Sequence, residues 1–177
     1  MSGHSHWAGI KHQKGVTDQK RGQLFSKLLA AITAAVRTEP NPDFNPRLRT
    51  AVQKAKENMV PAENIERAIK KAAEAGQNLE EIVLEAYGPG GTAIIIEAVT
   101  DNRNRTIPEV KKILSDLGGK WAEPGSVLWA FEPPSGERPW QAKFPQELSP
   151  EDRERLSALV AGLEEHGDVQ KIIVSAK

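Results

Sequence analysis

The chain has 177 residues, with 24 Lys+Arg against 24 Asp+Glu and no Cys, a length for one or two small domains with cores of their own. The lack of cysteine excludes disulfides, thiolate metal sites and a cysteine nucleophile. No apolar run approaches the roughly 20 residues that span a bilayer, and the start lacks the apolar stretch of a secretory signal, so a cytoplasmic protein without membrane contact is expected. The neutral total hides an asymmetry: residues 1–75 carry 13 Lys+Arg against 7 Asp+Glu, and residues 76–177 carry 11 against 17. A polyanion-binding half joined to a half with another task is the expectation.

The first fifteen residues hold His4, His6, His12, Lys11, Lys14, Trp7 and three glycines, with no acid. Such a segment either is a disordered start that Trp7 pins to the body, or lies along a polyanion with its cations on phosphates and its ring on a base. A helix is then predicted from Asp18 to Arg37, with Leu24, Leu28, Ile32 and Ala35 recurring at helical spacing. Asn45-Pro46 opens a second helix, Asn as cap and Pro at the first position. Its apolar positions are Leu48, Ala51, Val52, Ala55 and Met59. Pro61 restarts the chain into a third helix carrying Ile65, Ala68, Ile69 and Ala72, and Gly76 stops it.

The pattern then changes. Residues 82–87 read as a strand, Gly88-Pro89-Gly90-Gly91 as a tight connection, and 92–100 (TAIIIEAVT) as a central strand. Thr106 to Glu109 fits a capping box for a helix carrying Val110, Ile113, Leu114 and Leu117. Residues 126–131 read as a strand, 133–145 as a Pro-rich connection with a short edge strand at 140–144. Ser149-Pro150 caps a helix ended by Gly167, and 169–175 closes as a strand. The expected class is α+β. An N-terminal arm and three-helix domain (1–77) precedes a ferredoxin-like α+β domain (78–177), an antiparallel sheet with two helices on one face.

Two constellations carry chemistry. Lys11, Lys14, Lys20, Arg21 and Lys27 continue the charge of the arm into the first helix, and Arg47, Arg49, Lys54 and Lys56 follow in the second. Arg47 shares a helix face with Lys54, and Arg49 with Lys56. They form either a solvated face or a nucleic-acid surface. The run TDNRNRT (100–106) joins a strand end to a helix start, where Arg103 and Arg105 could clamp a phosphate or carboxylate; Asp101 and Asn102 could equally make a local turn. His4 and His6 are too close for a helical ligand pair and have no acid nearby, so no metal is expected. No nucleophile motif is present, and the acids fall singly on helix surfaces. No catalytic residue, cofactor or small-molecule substrate is expected.

These residues together resemble one family. Gly3-His4-Ser5, Trp7-Ala8, Ile10-Lys11-His12, Lys20-Arg21-Gly22, Phe25-Ser26-Lys27-Leu28 and Asn45 to Arg49 are similar, in order, to the YebC/PmpR family. So are Asn64 to Lys71, Tyr87 to Gly91, Thr100 to Thr106, and Gly125-Ser126-Val127 with Trp129 and Phe131. The match pauses over 133–148 and resumes at Asp168-Val169-Gln170. Two departures stand out: His6 where the family has Lys, and Met59-Val60 before Pro61.

The resemblance implies a helical domain and two α+β domains, one inserted in the other, without enzymatic activity. It implies gene regulation, in transcription or, as in mitochondrial relatives, in translation of cytochrome c oxidase subunit I. Residues 133–148 stand as a short connector where the family carries its inserted domain. The site residues expected to contact nucleic acid are His4, Trp7, Lys11, His12, Lys14, Lys20, Arg21, Lys27, Arg47, Arg49, Lys54, Lys56, Arg103 and Arg105. The partner expected first is ribosomal RNA or the ribosome, and DNA second. An adaptor that uses its acidic half on another protein is the third alternative, and the oligomeric state stays open.

Overall fold

A computed structural model describes residues 18–75, 78–135 and 138–177. Helix α1 (Asp18–Val36) buries Leu28, Ile32, Ala35 and Val36 along one stripe. Helix α2 (Pro46–Glu57) contributes Leu48 and Ala55 to the same core, and α3 (Ala62–Ala75) contributes Ile65 and Ala72. The turn between α1 and α2 hangs on Asn45. Its Oδ1 accepts from the Leu48 N–H at 3.0 Å, while its Nδ2 donates to the carbonyls of Ala35 at 2.8 Å and Glu39 at 2.6 Å. One buried side chain therefore caps the new helix and closes the turn behind the old one.

The second helix ends differently from the expected apolar run. Met59 takes a left-handed conformation (φ 63°) and stands 78% exposed, and the Val60 N–H bonds back to the Ala55 carbonyl at 3.0 Å. This is a Schellman-type stop. It turns Met59 out of the core and hands its place to Val60, which is buried.

Four strands make the main sheet: β1 (Glu80–Tyr87), β2 (Ala93–Thr100), β3 (Lys120–Ala122) and β6 (Val169–Val174), in the order β3-β1-β2-β6 with every neighbouring pair antiparallel. The β1–β2 hairpin is central. A one-turn 3-10 segment (Pro89–Gly91) closes it, with Gly90 and Gly91 at φ 66° and 74°, where glycine alone is unstrained. Helices α4 (Arg103–Asp116) and α5 (Pro150–Glu164) pack Val110, Leu114, Leu156, Leu159 and Leu163 against Ile82, Leu84, Ile94 and Ile96 of the sheet. Ser149 caps α5 as expected, its Oγ accepting from the Asp152 N–H at 3.1 Å.

The other face carries Ala93, Ile95 and Ala122, covered by Val127, Ala130 and Phe131. Strand β2 is thus buried on both faces, which is why it reads as a continuous apolar run.

Three expectations are corrected. Residues 126–131 are not a strand of the sheet. They form a 3-10 turn (Leu128–Ala130) and a two-residue strand β4 (Phe131–Glu132), paired with β5 (Gln141–Ala142) in a separate ribbon. The reason is Glu85 on β1, which is 4% exposed. Its carboxylate accepts from the backbone N–H groups of Gly125 (2.5 Å), Val127 (2.7 Å) and Leu128 (3.0 Å), taking donors that a strand would need. The short edge strand β3, just after Gly118-Gly119, was not anticipated. Finally, α4 starts at Arg103 with Asn102 as its cap, Oδ1 accepting from the Asn104 N–H at 3.0 Å. Thr106, expected as the cap, sits fully buried inside the helix.

Candidate nucleic-acid interface

His4, Trp7, Lys11, His12 and Lys14 lie outside the described residues. Among the cations of the helical half that are described, the structure separates two kinds. Arg47 is ion-paired with Glu81 on β1, and Arg49 donates to the carbonyls of Pro42 and Asp43 at 3.2 Å each. Both arginines hold the fold. Lys27 donates to the Glu164 carbonyl at the end of α5. Lys20 and Arg21 on α1 and Lys54 and Lys56 in the last turn of α2 are exposed.

Sequence reasoning passed over α3. It presents Arg67, Lys70 and Lys71 to solvent, Arg67 within 2.7 Å of Glu63. Arg67 and Lys71 line an open groove of about 380 Å³ between α1 and α3, with Asn64, Thr33 and Leu29. The signal was available, since Asn64, Arg67 and Lys71 fall at helical spacing on one face. Among the described residues, Lys20, Arg21, Lys56, Lys70 and Lys71 have no acidic partner within 4 Å.

Arg103 and Arg105 are both in the first turn of α4 rather than on a loop, and acids surround them. Arg103 lies 3.8 Å from Glu80. Arg105 reaches Asp168 at 2.8 Å, Asp101 at 3.0 Å and Glu109 at 3.9 Å. The hydrogen bond and charge of Asp168, joined by Asp101, push the guanidinium further above its ordinary value.

Asp168, ahead of β6, is the centre of this cluster. Thr106 donates to it at 2.5 Å, Thr100 and Thr106 share a 2.7 Å hydrogen bond, and the Asn102 N–H reaches the Thr100 hydroxyl at 2.9 Å. With one proton per hydroxyl, the order is fixed: Asn102 N–H to Thr100, Thr100 to Thr106, Thr106 to Asp168. Burial pushes the Asp168 carboxyl up, but the Thr106 and Arg105 hydrogen bonds and the Arg105 charge outweigh it and hold it below the usual aspartate value. His166 closes the cluster. Its Nδ1 accepts from the Asp168 N–H at 3.1 Å, and its Nε2 faces Glu109 at 2.9 Å. The TDNRNRT run therefore builds a clasp joining β2, α4 and the turn into β6, with its charges satisfied internally.

The comparisons agree with this architecture. Residues 5–75 match the family model of the TACO1/YebC protein N-terminal domain, and residues 79–136 match that of the TACO1/YebC second and third domain. A Petrotoga mobilis protein is 47% identical across 99% of this chain and 70% of its own length, and one from Chloroherpeton thalassium is 49% identical across 93% and 65%. An Aquifex aeolicus protein is 53% identical across 75% and 54%. Each of the three is named a probable transcriptional regulatory protein. The crystal structure of the conserved hypothetical protein Aq1575 from Aquifex aeolicus superposes with a TM-score of 0.86 at 35% identity, covering 98% of this chain and 97% of that one. The helical bundle followed by an α+β sheet is the architecture shared with that structure, and the chain belongs to the TACO1/YebC family. It spans 54–70% of the length of these curated relatives. No helix among the described residues is long and apolar enough to cross a membrane.

Proposed function

We propose that this chain is a non-enzymatic regulator of gene expression that binds nucleic acid, acting in translation by contact with RNA on the ribosome. The observation that carries this reading is the sorting of the basic residues. In the helical half, Lys20, Arg21, Lys56, Lys70 and Lys71 are exposed without acidic partners among the described residues, while Arg103 and Arg105 of the acidic half pair with acids of the fold. Exposed cations without acidic partners, clustered in the helical half of the sequence, suit a polyanion. In this reading residues 1–77 form the docking domain, with His4, Trp7, Lys11, His12 and Lys14 as an arm continuing that surface. Residues 78–177 form the α+β domain, and 133–148 replace a domain inserted in longer relatives. RNA is favoured over duplex DNA because exposed cations continued by a basic arm suit a structured RNA surface.

The names of the relatives favour a second reading, a DNA-binding transcriptional regulator. Salt titration of binding to ribosomes and to duplex DNA, for the parent and for Lys11→Ala/Lys14→Ala/Arg21→Ala, tests both. The parent is expected to bind ribosomes with an affinity that falls steeply with salt, and the triple variant to show a slope shallower by about 2. A variant indistinguishable from the parent ends the arm hypothesis. Crosslinking in cells followed by sequencing of bound RNA and DNA separates the two readings.

A further inference from the structure

We propose that Trp129 and Phe144, with Tyr87 beside them, form a stacking platform for unpaired RNA bases on the α+β half; this rests on the RNA reading above. Trp129 is 63% exposed and Phe144 66%, their ring centroids 6.3 Å apart and tilted by 44°. Rings of this size exposed together mark a contact surface more often than a chance of packing.

Two of the rings are also tethered. The Trp129 indole N–H donates to the Ser126 carbonyl at 2.7 Å, and the Tyr87 hydroxyl donates to the same oxygen at 3.0 Å. The polar atoms of both side chains are thereby partnered within the protein, on one shared carbonyl. The loop that carries Trp129 is anchored by the buried Glu85 carboxylate through three backbone N–H groups. Phe144 is set beside it because the neighbouring Lys143 N–H bonds to the Ala130 carbonyl at 2.9 Å. A ring tethered before its ligand arrives, as those of Trp129 and Tyr87 are, loses less rotamer freedom on binding.

Charge chooses the occupant. Lys143 precedes Phe144, and Lys120 lies opposite Tyr87 in the β1–β3 register. Both lysines are exposed and neither makes an ion pair among the described residues. An apolar protein surface gains nothing from two unpaired ammonium groups, whereas a single strand uses rings for bases and ammonium groups for phosphates.

The test compares a labelled twelve-nucleotide oligouridine with a blunt RNA duplex, by fluorescence anisotropy across a salt series. Trp129→Ala/Phe144→Ala is expected to bind oligouridine about tenfold more weakly or worse at every salt concentration, with the slope unchanged and duplex binding little altered. Trp129→Phe, which keeps a ring, is expected to stay near the parent. Lys120→Ala/Lys143→Ala is expected to make the slope shallower by about 1.4, two contacts at about 0.7 each. Oligouridine binding unchanged in the double ring variant overturns the proposal, as does an equal loss on the duplex or a parent that does not bind oligouridine. Unchanged oligouridine binding together with loss of self-association in sedimentation would instead assign the rings to a protein contact. Ribosome binding through the arm, which these variants leave in place, reports separately on the wider reading.

Discussion

Asn45 shows how much one residue type can determine. It accepts one hydrogen bond and donates two, and is 3% exposed. General capping preference ranks Asp level with Asn, yet an aspartate here would face the carbonyls of Ala35 and Glu39 with no proton to offer them. Asn45→Asp is therefore expected to cost about 2–3 kcal/mol in urea unfolding at pH 7, no less than Asn45→Ala; a variant as stable as the parent would refute the donor role. Asp168 makes a pH-dependent contribution. Its folded pKa lies below the usual aspartate value, so its stabilisation is complete above the unfolded value and is lost as pH falls through the lower folded one. Asp168→Asn is expected to lower stability by about 1–2 kcal/mol at pH 7 and to narrow the gap to the parent as the pH falls below about 4. Equal gaps at both ends of a pH series would show that the carboxylate charge is not what matters. The Asn-Pro cap was legible in sequence because it is local. The Asp168 clasp was not, because its partners Thr106 and Arg105 lie 62 and 63 residues away.

At the scale of elements, the same division explains what sequence reading caught and what it missed. Helices α1, α2 and α5 announce themselves through periodicity, and α2 and α5 also through caps that act within three residues. The two-faced burial of β2 is equally plain in its unbroken apolar run. The segment 126–131 misled because Val127, Leu128, Trp129 and Phe131 have strand-like composition, while its backbone donors are claimed by a glutamate about 40 residues earlier. Nothing local in β1 sets Glu85 apart from Glu80 or Glu81. Replacing Glu85 by alanine is expected to cost about 3 kcal/mol or more, since three backbone N–H groups lose one acceptor group. It should also collapse the near-ultraviolet dichroism of Trp129 before the far-ultraviolet signal of the helices changes. Coincident loss of both signals would mean that the loop and the sheet are one cooperative unit. The TDNRNRT run admits an anion clamp or a local turn in sequence, and only the structure shows Glu80, Asp101, Glu109 and Asp168 set against its arginines.

For the whole molecule, the balance of 24 basic and 24 acidic residues conceals a division of labour. Arginines tend to be spent on structure, and the exposed unpaired cations are chiefly lysines, a pattern that fits bidentate internal pairing for one and contact with a polyanion for the other. Lys70→Ala/Lys71→Ala, on the helix that sequence reasoning passed over, is expected to weaken ribosome binding and to make the salt slope shallower by about 1.4 without altering thermal stability by more than a degree or two. An unchanged slope would remove α3 from the interface. Composition shows that the helical half is basic; which of its cations lack acidic partners could be told only from the structure. The topology has one more consequence, for the order in which the chain is made. Strand β2 pairs on one side with β1, a few residues earlier, but on the other with β6, where Ile94 meets Val174. During synthesis the most apolar strand of the protein must therefore emerge and wait, its outer row of N–H and C=O groups open, until the last strand is released. The nascent chain passes through an interval of vulnerability to misassembly that the finished protein does not reveal.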